Sequence, residues 1–293
     1  MTVIKTHGLT KTYGKARGVD GLDLTVEAGE FFGFIGPNGA GKSTTIRLLL
    51  GLIRPTGGSA EVLGRSVAAD RVAILSQVGY MPSEAAFYGD MRVRDALRFS
   101  AALRHMDCAA EAKTLCDALA LDPARRIEDL SLGNRKKVAI VCALQHRPPL
   151  YILDEPTSGL DPLMQQAFFA LLAQRHAQGA TVFLSSHALW EIQRYCNRAA
   201  IIRQGRIVAC DRVDQLAHTQ AKRVTLRGVT AAPELPGVRD ARPGPDSVSF
   251  LYQGALGPLL ARLAELPLTD MTLAEPDLEE IFLQAYAQGG EKA

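Results

Sequence analysis

The period of the hydrophobic pattern changes several times along this chain, and each change marks an element. Residues 3–9 and 19–26 alternate apolar and polar side chains, the period of half-buried strands, with a turn around Tyr13-Gly14-Lys15 between them. Residues 31–35 form an unbroken apolar run and predict a strand buried on both faces. Past a glycine-rich stretch the spacing becomes helical over 44–50 and stops at Gly51. Turn residues at 54–58 lead to a short strand at 59–63, and 78–81 is another apolar run, ended by Pro82. Alanines and leucines then recur every three or four residues over 93–106 and 109–121, so the middle of the chain reads as a helical insertion.

Leu130-Ser131-Leu132-Gly133-Asn134 precedes a helix over 135–146 that Ser131 is placed to cap. The buried-strand pattern returns at 150–153 and ends in Asp154-Glu155. Asp161 and Pro162 open a helix that runs to Gln178 and stops at Gly179. A strand over 181–184 ends in Ser185-Ser186-His187, and 199–202 with 206–209 read as a hairpin around Gln204-Gly205. Short buried strands alternating with helices indicate an α/β fold. Composition shifts at 218–222, read as a linker. Beyond it, β-like runs at 223–226, 237–241, 248–252 and 268–273 interleave with helical patterns at 256–266 and 277–286, giving a small α+β appendage whose tail frays from 288.

The chemistry concentrates between the buried strand at 31–35 and the helix that follows. Gly36, Pro37, Asn38, Gly39, Ala40, Gly41, Lys42, Ser43 and Thr44 have the GxxxxGK[ST] spacing of a phosphate loop. Glycines let the backbone wrap an anion, the helix start offers unpaired N–H groups, lysine adds a point charge and serine a hydroxyl for magnesium. Asp154 and Glu155 stand at the carboxyl end of a strand, where ligands of open α/β sheets bind; as an acid pair they read equally as metal ligands or as ligand plus base. Tyr13, ahead of the loop, reads either as a stacking platform for a base or as a tyrosine packed at a strand end. His187 reads as a structural histidine or as a site residue.

Bulk composition narrows this little. With 293 residues, 47% hydrophobic and 22% charged, and a formal net charge of +2, the chain is ordinary for a globular protein with a sizeable core, and nothing requires a nucleic-acid partner. The five cysteines are scattered without a CxxC pair and read as reduced thiols. No signal peptide is visible and no apolar run reaches the ~20 residues of a spanning helix, so work at a membrane would need another chain to cross it.

Taken in order, the phosphate loop, the Leu130–Asn134 segment, Asp154-Glu155, Ser158-Gly159-Leu160-Asp161 and His187 resemble the ATP-binding subunit of an ABC transporter. The resemblance implies a P-loop NTPase of the ABC ATPase type over 1–217 with a helical subdomain at about 85–147, a linker at 218–222, and a small α+β domain over 223–293. It implies ATP and Mg2+ as cofactors: Tyr13 stacked on adenine, Lys42 on the β and γ phosphates, Ser43 and Asp154 organising the metal, Glu155 as general base, and His187 at the γ phosphate. Ser131 and Gly133 would face the ATP of an opposite subunit in a head-to-tail dimer, homomeric or heteromeric, with Asp161 crossing the interface. The implied partner is an integral-membrane permease on a separate chain, served from the cytoplasmic face, with no nucleic acid involved.

Two departures stand out. The signature usually reads LSGGQ, whereas Leu132 and Asn134 replace its first glycine and its glutamine; and the glutamine usual after Tyr80-Met81-Pro82 is Ser83, followed by Glu84. These substitutions imply an altered cross-dimer contact and altered coupling or a water-bridged metal contact. The appendage, with its Glu275-Pro276-Asp277-Leu278-Glu279-Glu280-Ile281-Phe282 run, resembles the extension of ATPases that serve ABC-2 type exporters; Leu278, Ile281, Phe282 and Tyr286 also fit the core stripe of a helix. A soluble ABC ATPase acting on ribosomes or DNA, and an importer subunit, are the alternative readings.

Overall fold

The computed structural model describes residues 1–14, 16–217 and 221–274. Two long strands open the chain, β1 (Thr2–Tyr13) and β2 (Ala16–Glu27), paired antiparallel with several breaks in register. There follow β3 (Phe31–Ile35), α1 (Lys42–Leu49), β4 (Gly57–Val62), the two-residue β5 (Arg65–Ser66), α2 (Arg71–Ser76) and β6 (Val78–Met81). Three helices, α3 (Val93–Ala102), α4 (Ala109–Ala118) and α5 (Leu132–Leu144), occupy the middle of the chain. β7 (Leu150–Asp154), α6 (Pro162–Ala177), β8 (Thr181–Ser186), α7 (Leu189–Tyr195), β9 (Arg198–Arg203) and β10 (Arg206–Arg212) then return to the sheet.

β3, β7 and β8 are inner strands of the six-stranded order β10-β9-β3-β8-β7-β6 and are buried at every position, as in a parallel sheet covered on both faces, so they show no alternation. β3 runs parallel to both β8 and β9, and β7 parallel to both β8 and β6. β1 and β2 alternate because they belong to a separate antiparallel sheet, β2-β1-β4-β5. One core joins the two sheets: Ile4, Leu22 and Leu24 from the antiparallel sheet share it with Phe32, Phe34 and Phe183 of the parallel one and with Ile46 and Leu49 of α1. Phe183 stacks on Phe32 with centroids 5.7 Å apart. α1 thus starts from a loop whose two ends are both anchored in core.

The chain divides into two compact units between Cys210 and Asp211. The second contains α8 (Val213–Ala217), β11 (Ala221–Arg227), β12 (Val238–Pro243), β13 (Ser247–Gln253), α9 (Leu256–Leu263) and β14 (Asp270–Ala274). Its strands form one sheet in the order β12-β13-β11-β14, every pair antiparallel. Val224, Leu226, Val248 and Phe250 pack beneath Leu259 and Leu263 of α9. Residues 213–217, read from sequence with the first domain, form α8. The helical pattern over 277–286, with Leu278, Ile281, Phe282 and Tyr286, and residues 218–220 of the linker lie outside the described residues.

Local differences from the sequence reading have physical causes. α5 begins at Leu132 rather than 135, because Ser131 accepts the Asn134 N–H at 3.3 Å and so starts the helix over a glycine and an asparagine of poor helix propensity. α3 and α4 stop short of 106 and 121, and His105 (φ +54°) and Ala120 (φ +47°) turn the chain left-handed just past them. β5, α2 and α7 are too short or too irregular in pattern to have been read.

Candidate active site

The carboxyl ends of β3, β8 and β7, consecutive in the parallel sheet, carry the chemistry, as expected at the strand ends of an open α/β sheet. The loop after β3 is pressed from two sides. A Cβ on Gly36 would stand 2.6 Å from the Ile202 carbonyl, and one on Gly41 only 2.5 Å from the Gly18 carbonyl. The Gly205 N–H donates to the Ala40 carbonyl at 2.9 Å, so the turn between β9 and β10 clasps the loop, and the Thr45 hydroxyl donates to the Gly41 carbonyl, also at 2.9 Å. Asn38 and Gly39 remain exposed, and Pro37, Ser43 and Thr44 are half-buried.

Lys42 is 4% exposed, and its ammonium donates to the Gly36 carbonyl at 2.6 Å and the Pro37 carbonyl at 3.2 Å. The same Nζ lies 3.1 Å from Glu155 Oε1. Across the carboxylate, Glu155 Oε2 lies 3.3 Å from Nδ1 of His187, an exposed imidazole. Lysine, glutamate and histidine thus stand in a row, each from a different strand end. Behind them Asp154, 2% exposed, accepts the Ser185 hydroxyl at 2.6 Å. The Glu155 N–H reaches both the carbonyl and the hydroxyl oxygen of Ser185, at 3.1 and 3.2 Å, and Glu155 has a left-handed backbone, φ +47°. In this row the Lys42 ammonium, with the N–H groups at the helix start, can neutralise phosphate charge, and the Glu155 carboxylate can accept a proton from water.

Tyr13 stands at the end of β1 with much of its ring exposed. A Cβ on Gly18 would lie 2.9 Å from Tyr13 Cε2 and 3.1 Å from Thr44 Cγ2, so this glycine brings the ring to the first turn of α1. Lys11 Nζ lies 5.3 Å from the ring centroid. Ser131, Gly133 and Asp161 form a second group. Gly133 approaches the loop after β7, its Cβ position 3.4 Å from the Gly159 carbonyl, and Asp161 Oδ1 accepts the Met164 N–H at 3.0 Å to cap α6. Their partners are their own helices and the 155–161 loop, not Lys42. Ser83 is half-buried just past β6 and Glu84 exposed, whereas Gln77 lies before β6 and donates to the Ala73 carbonyl at 3.2 Å.

Two charged residues escaped the sequence reading. Lys136 sits in the run Arg135-Lys136-Lys137, which reads as a solvated basic face, yet it is 7% exposed and donates to the carbonyls of Glu155 and Ser158 at 3.0 and 2.5 Å. Burial holds its pKa below the usual lysine range, opposed by the carboxylates of Glu155, Asp154 and Glu191. Glu191 is 1% exposed; its two oxygens accept the Thr157 hydroxyl at 2.5 Å and the Ser186 hydroxyl at 2.7 Å, tying the 155–161 loop to the strand end that carries His187. Only its placement four residues after His187 hinted at this. Tyr80, on β6, has its hydroxyl pKa raised by burial and, secondarily, by Asp154.

The family model described as ABC transporter matches residues 19–158. The chain is 32% identical to the bacitracin transport ATP-binding protein BcrA of Bacillus licheniformis, over 98% of each chain. It is 29% identical to the linearmycin resistance ATP-binding protein LnrL of Bacillus subtilis, over 96% of this chain and 97% of that one. Among solved structures, an ATP-binding subunit of an ABC transporter is 32% identical and superposes with a TM-score of 0.69 over 73% of this chain and 92% of its own. A dimeric ATP-binding cassette in a post-hydrolysis state with ADP and phosphate, 21% identical, shares the fold with a TM-score of 0.66 over 72% of this chain and 98% of its own. With its phosphate loop, acidic strand end and near full-length relatives in one agreement, this chain belongs to the ATP-binding proteins of ABC transporters and is an ATPase of that family.

Proposed function

We propose that the protein is the ATP-hydrolysing subunit of an ABC-2 type exporter, closing as a head-to-tail dimer around ATP to drive a permease carried on a separate chain. The observation that carries the reading is the row Lys42, Glu155, His187 at three adjacent strand ends. In it, Lys42 holds the β and γ phosphates, Glu155 takes the proton of the attacking water, and His187 contacts the γ phosphate; phosphoryl transfer asks for little more than such positioning and charge neutralisation. Ser43 and Asp154 supply the hard oxygen donors that Mg2+ takes alongside phosphate oxygens, in keeping with its habit of using one or two protein ligands. Tyr13 stacks on adenine. Ser131, Gly133 and Asp161 serve the ATP of the opposite subunit, which accounts for their lying apart from Lys42.

Exposed apolar surface supports a membrane partner. A groove lined by Tyr80, Pro82, Phe87, Met91, Phe99 and Leu103 opens beside Ser83, and Phe99 and Leu103 are largely exposed. It fits an apolar helix end of a permease, with Ser83 and Glu84 replacing the usual glutamine at that contact. Among the described residues no helix is long and apolar enough to cross a membrane; in this reading the subunit serves its permease peripherally, from the cytoplasmic face. The relatives matched over nearly their whole length, second unit included, are named for bacitracin transport and linearmycin resistance, which favours export of an antibiotic-like cargo. The test is Glu155→Gln: with ATP it is expected to elute as a dimer and to hydrolyse at about a hundredth or less of the wild-type rate. A variant that stays monomeric in saturating ATP and turns over normally refutes the mechanism.

A further inference from the structure

Glu155 is the one site residue on a non-glycine left-handed backbone, φ +47°. Such a conformation persists only where its surroundings impose it. The 155–161 loop is held from three directions: by Ser185 at the Glu155 N–H, by Glu191 at the Thr157 hydroxyl, and by Lys136 at the Glu155 and Ser158 carbonyls. Only the third comes from α5, the helix that Ser131 caps. Gly133 adds close packing there, its Cβ position 3.4 Å from the Gly159 carbonyl. A buried ammonium that donates to two carbonyls of a strained loop fixes the direction of the peptide following Glu155, and with it the direction of the carboxylate.

We propose that Lys136 is a positioning residue for ATP hydrolysis: its ammonium clamps the main chain of Glu155 and Ser158 to α5, holds the Glu155 carboxylate in line between Lys42 and His187, and makes that alignment depend on how Ser131 and Gly133 are seated. This rests on the dimeric reading above. Because Ser131 and Gly133 of one subunit face the ATP held by the other, the clamp links occupancy of one site to the alignment of Glu155 in its neighbour. The Lys136 ammonium is engaged by the Glu155 and Ser158 carbonyls, so its replacement is expected to leave ATP affinity nearly unchanged.

The experiment is steady-state hydrolysis by the full chain as wild type, Lys136→Met, Lys136→Gln and Lys136→Arg, each with and without Glu155→Gln, alongside thermal melting. Lys136→Met is expected to lower kcat about 10- to 100-fold, as a misalignment of about an ångström does, with KM changed less than about threefold and the Hill coefficient for ATP falling toward unity. Lys136→Arg, which keeps two donors and the charge, is expected to recover most of kcat. In the Glu155→Gln background Lys136→Met is expected to have no further effect on residual turnover, the signature of one residue acting through another. If Lys136→Met does not fold, Lys136→Gln, which keeps a donor without the charge, carries the same comparison. A folded Lys136→Met or Lys136→Gln protein with kcat within twofold of wild type, or equal losses from Lys136→Met in both backgrounds, overturns the proposal. If Glu155→Gln itself leaves turnover intact, it is the functional reading that fails, and the two failures are distinguishable.

Discussion

Two glycines of the phosphate loop should respond differently to alanine, because the structure separates backbone strain from collision. Gly39 has φ +79° and nothing within 4 Å of a built Cβ, so Gly39→Ala costs only the left-handed conformation, about 1–2 kcal/mol. Gly36 has ordinary backbone angles, but its Cβ would lie 2.6 Å from the Ile202 carbonyl, 2.8 Å from Ile202 Cγ2 and 3.0 Å from Ala40 Cβ. The nearest atom is main chain of β9, which cannot rotate away, so the loop must part from the sheet. Overpacking of this kind costs roughly 1–3 kcal/mol. In a unit of this size that is a fall in Tm of about 2–12 °C. The difference in function is larger, because the Gly36 carbonyl accepts from Lys42 at 2.6 Å and a shifted loop moves the ammonium with it. We expect Gly36→Ala to lower kcat about 100-fold, and Gly39→Ala to lower it by much less. Melting followed by circular dichroism and a phosphate-release assay measure both quantities. A Gly36→Ala protein with wild-type turnover, or with a smaller Tm loss than Gly39→Ala and equal activity, would refute the reasoning.

Ser185→Ala removes the hydroxyl that donates to buried Asp154 and accepts from the Glu155 N–H; urea denaturation should show a loss of about 1.5–3 kcal/mol, the usual worth of a hydrogen bond to a charged group. His146 is buried, with Nε2 3.3 Å from the Val78 carbonyl, and burial, with Arg104 adding to it, lowers its pKa from 6.5 to about 4. The unfolded chain therefore takes up this proton first, so stability is unaffected above pH 6.5 and falls as pH drops from there to about 4. The loss at pH 4 is about 3 kcal/mol, and denaturation of wild type against His146→Gln between pH 7 and 4.5 should show the wild type with the steeper decline.

What was legible in the sequence was local. The strand, loop and helix around Lys42 follow from contiguous residues, and so do the caps at Ser131 and Asp161, since each needs only a side chain and a backbone N–H a few positions on. The continuous apolar runs at 31–35 and 150–153 announced strands buried on both faces. Illegible were features whose partners lie far along the chain. In the sequence Lys136 is the middle one of three consecutive cations, and only the return of the chain through β7 puts the Glu155 and Ser158 carbonyls over it. Glu191 was one acid on a short helix until β8 brought Ser186 beside Thr157. α5 starts three residues earlier than its sequence pattern suggests because the Ser131 cap outweighs the poor helix propensity of Gly133 and Asn134.

By itself, then, the sequence determined the phosphate loop and its chemistry, the alternation of buried strands and helices, and the family, because these depend on residue order over short spans. The tertiary structure alone decided that Lys42, Glu155 and His187 share one point, through a strand order that sets β3, β8 and β7 side by side although the chain visits them as β3, β7, β8. It also decided which charges are buried. Burial is a property of what the rest of the chain places around a residue, and no local pattern carries it.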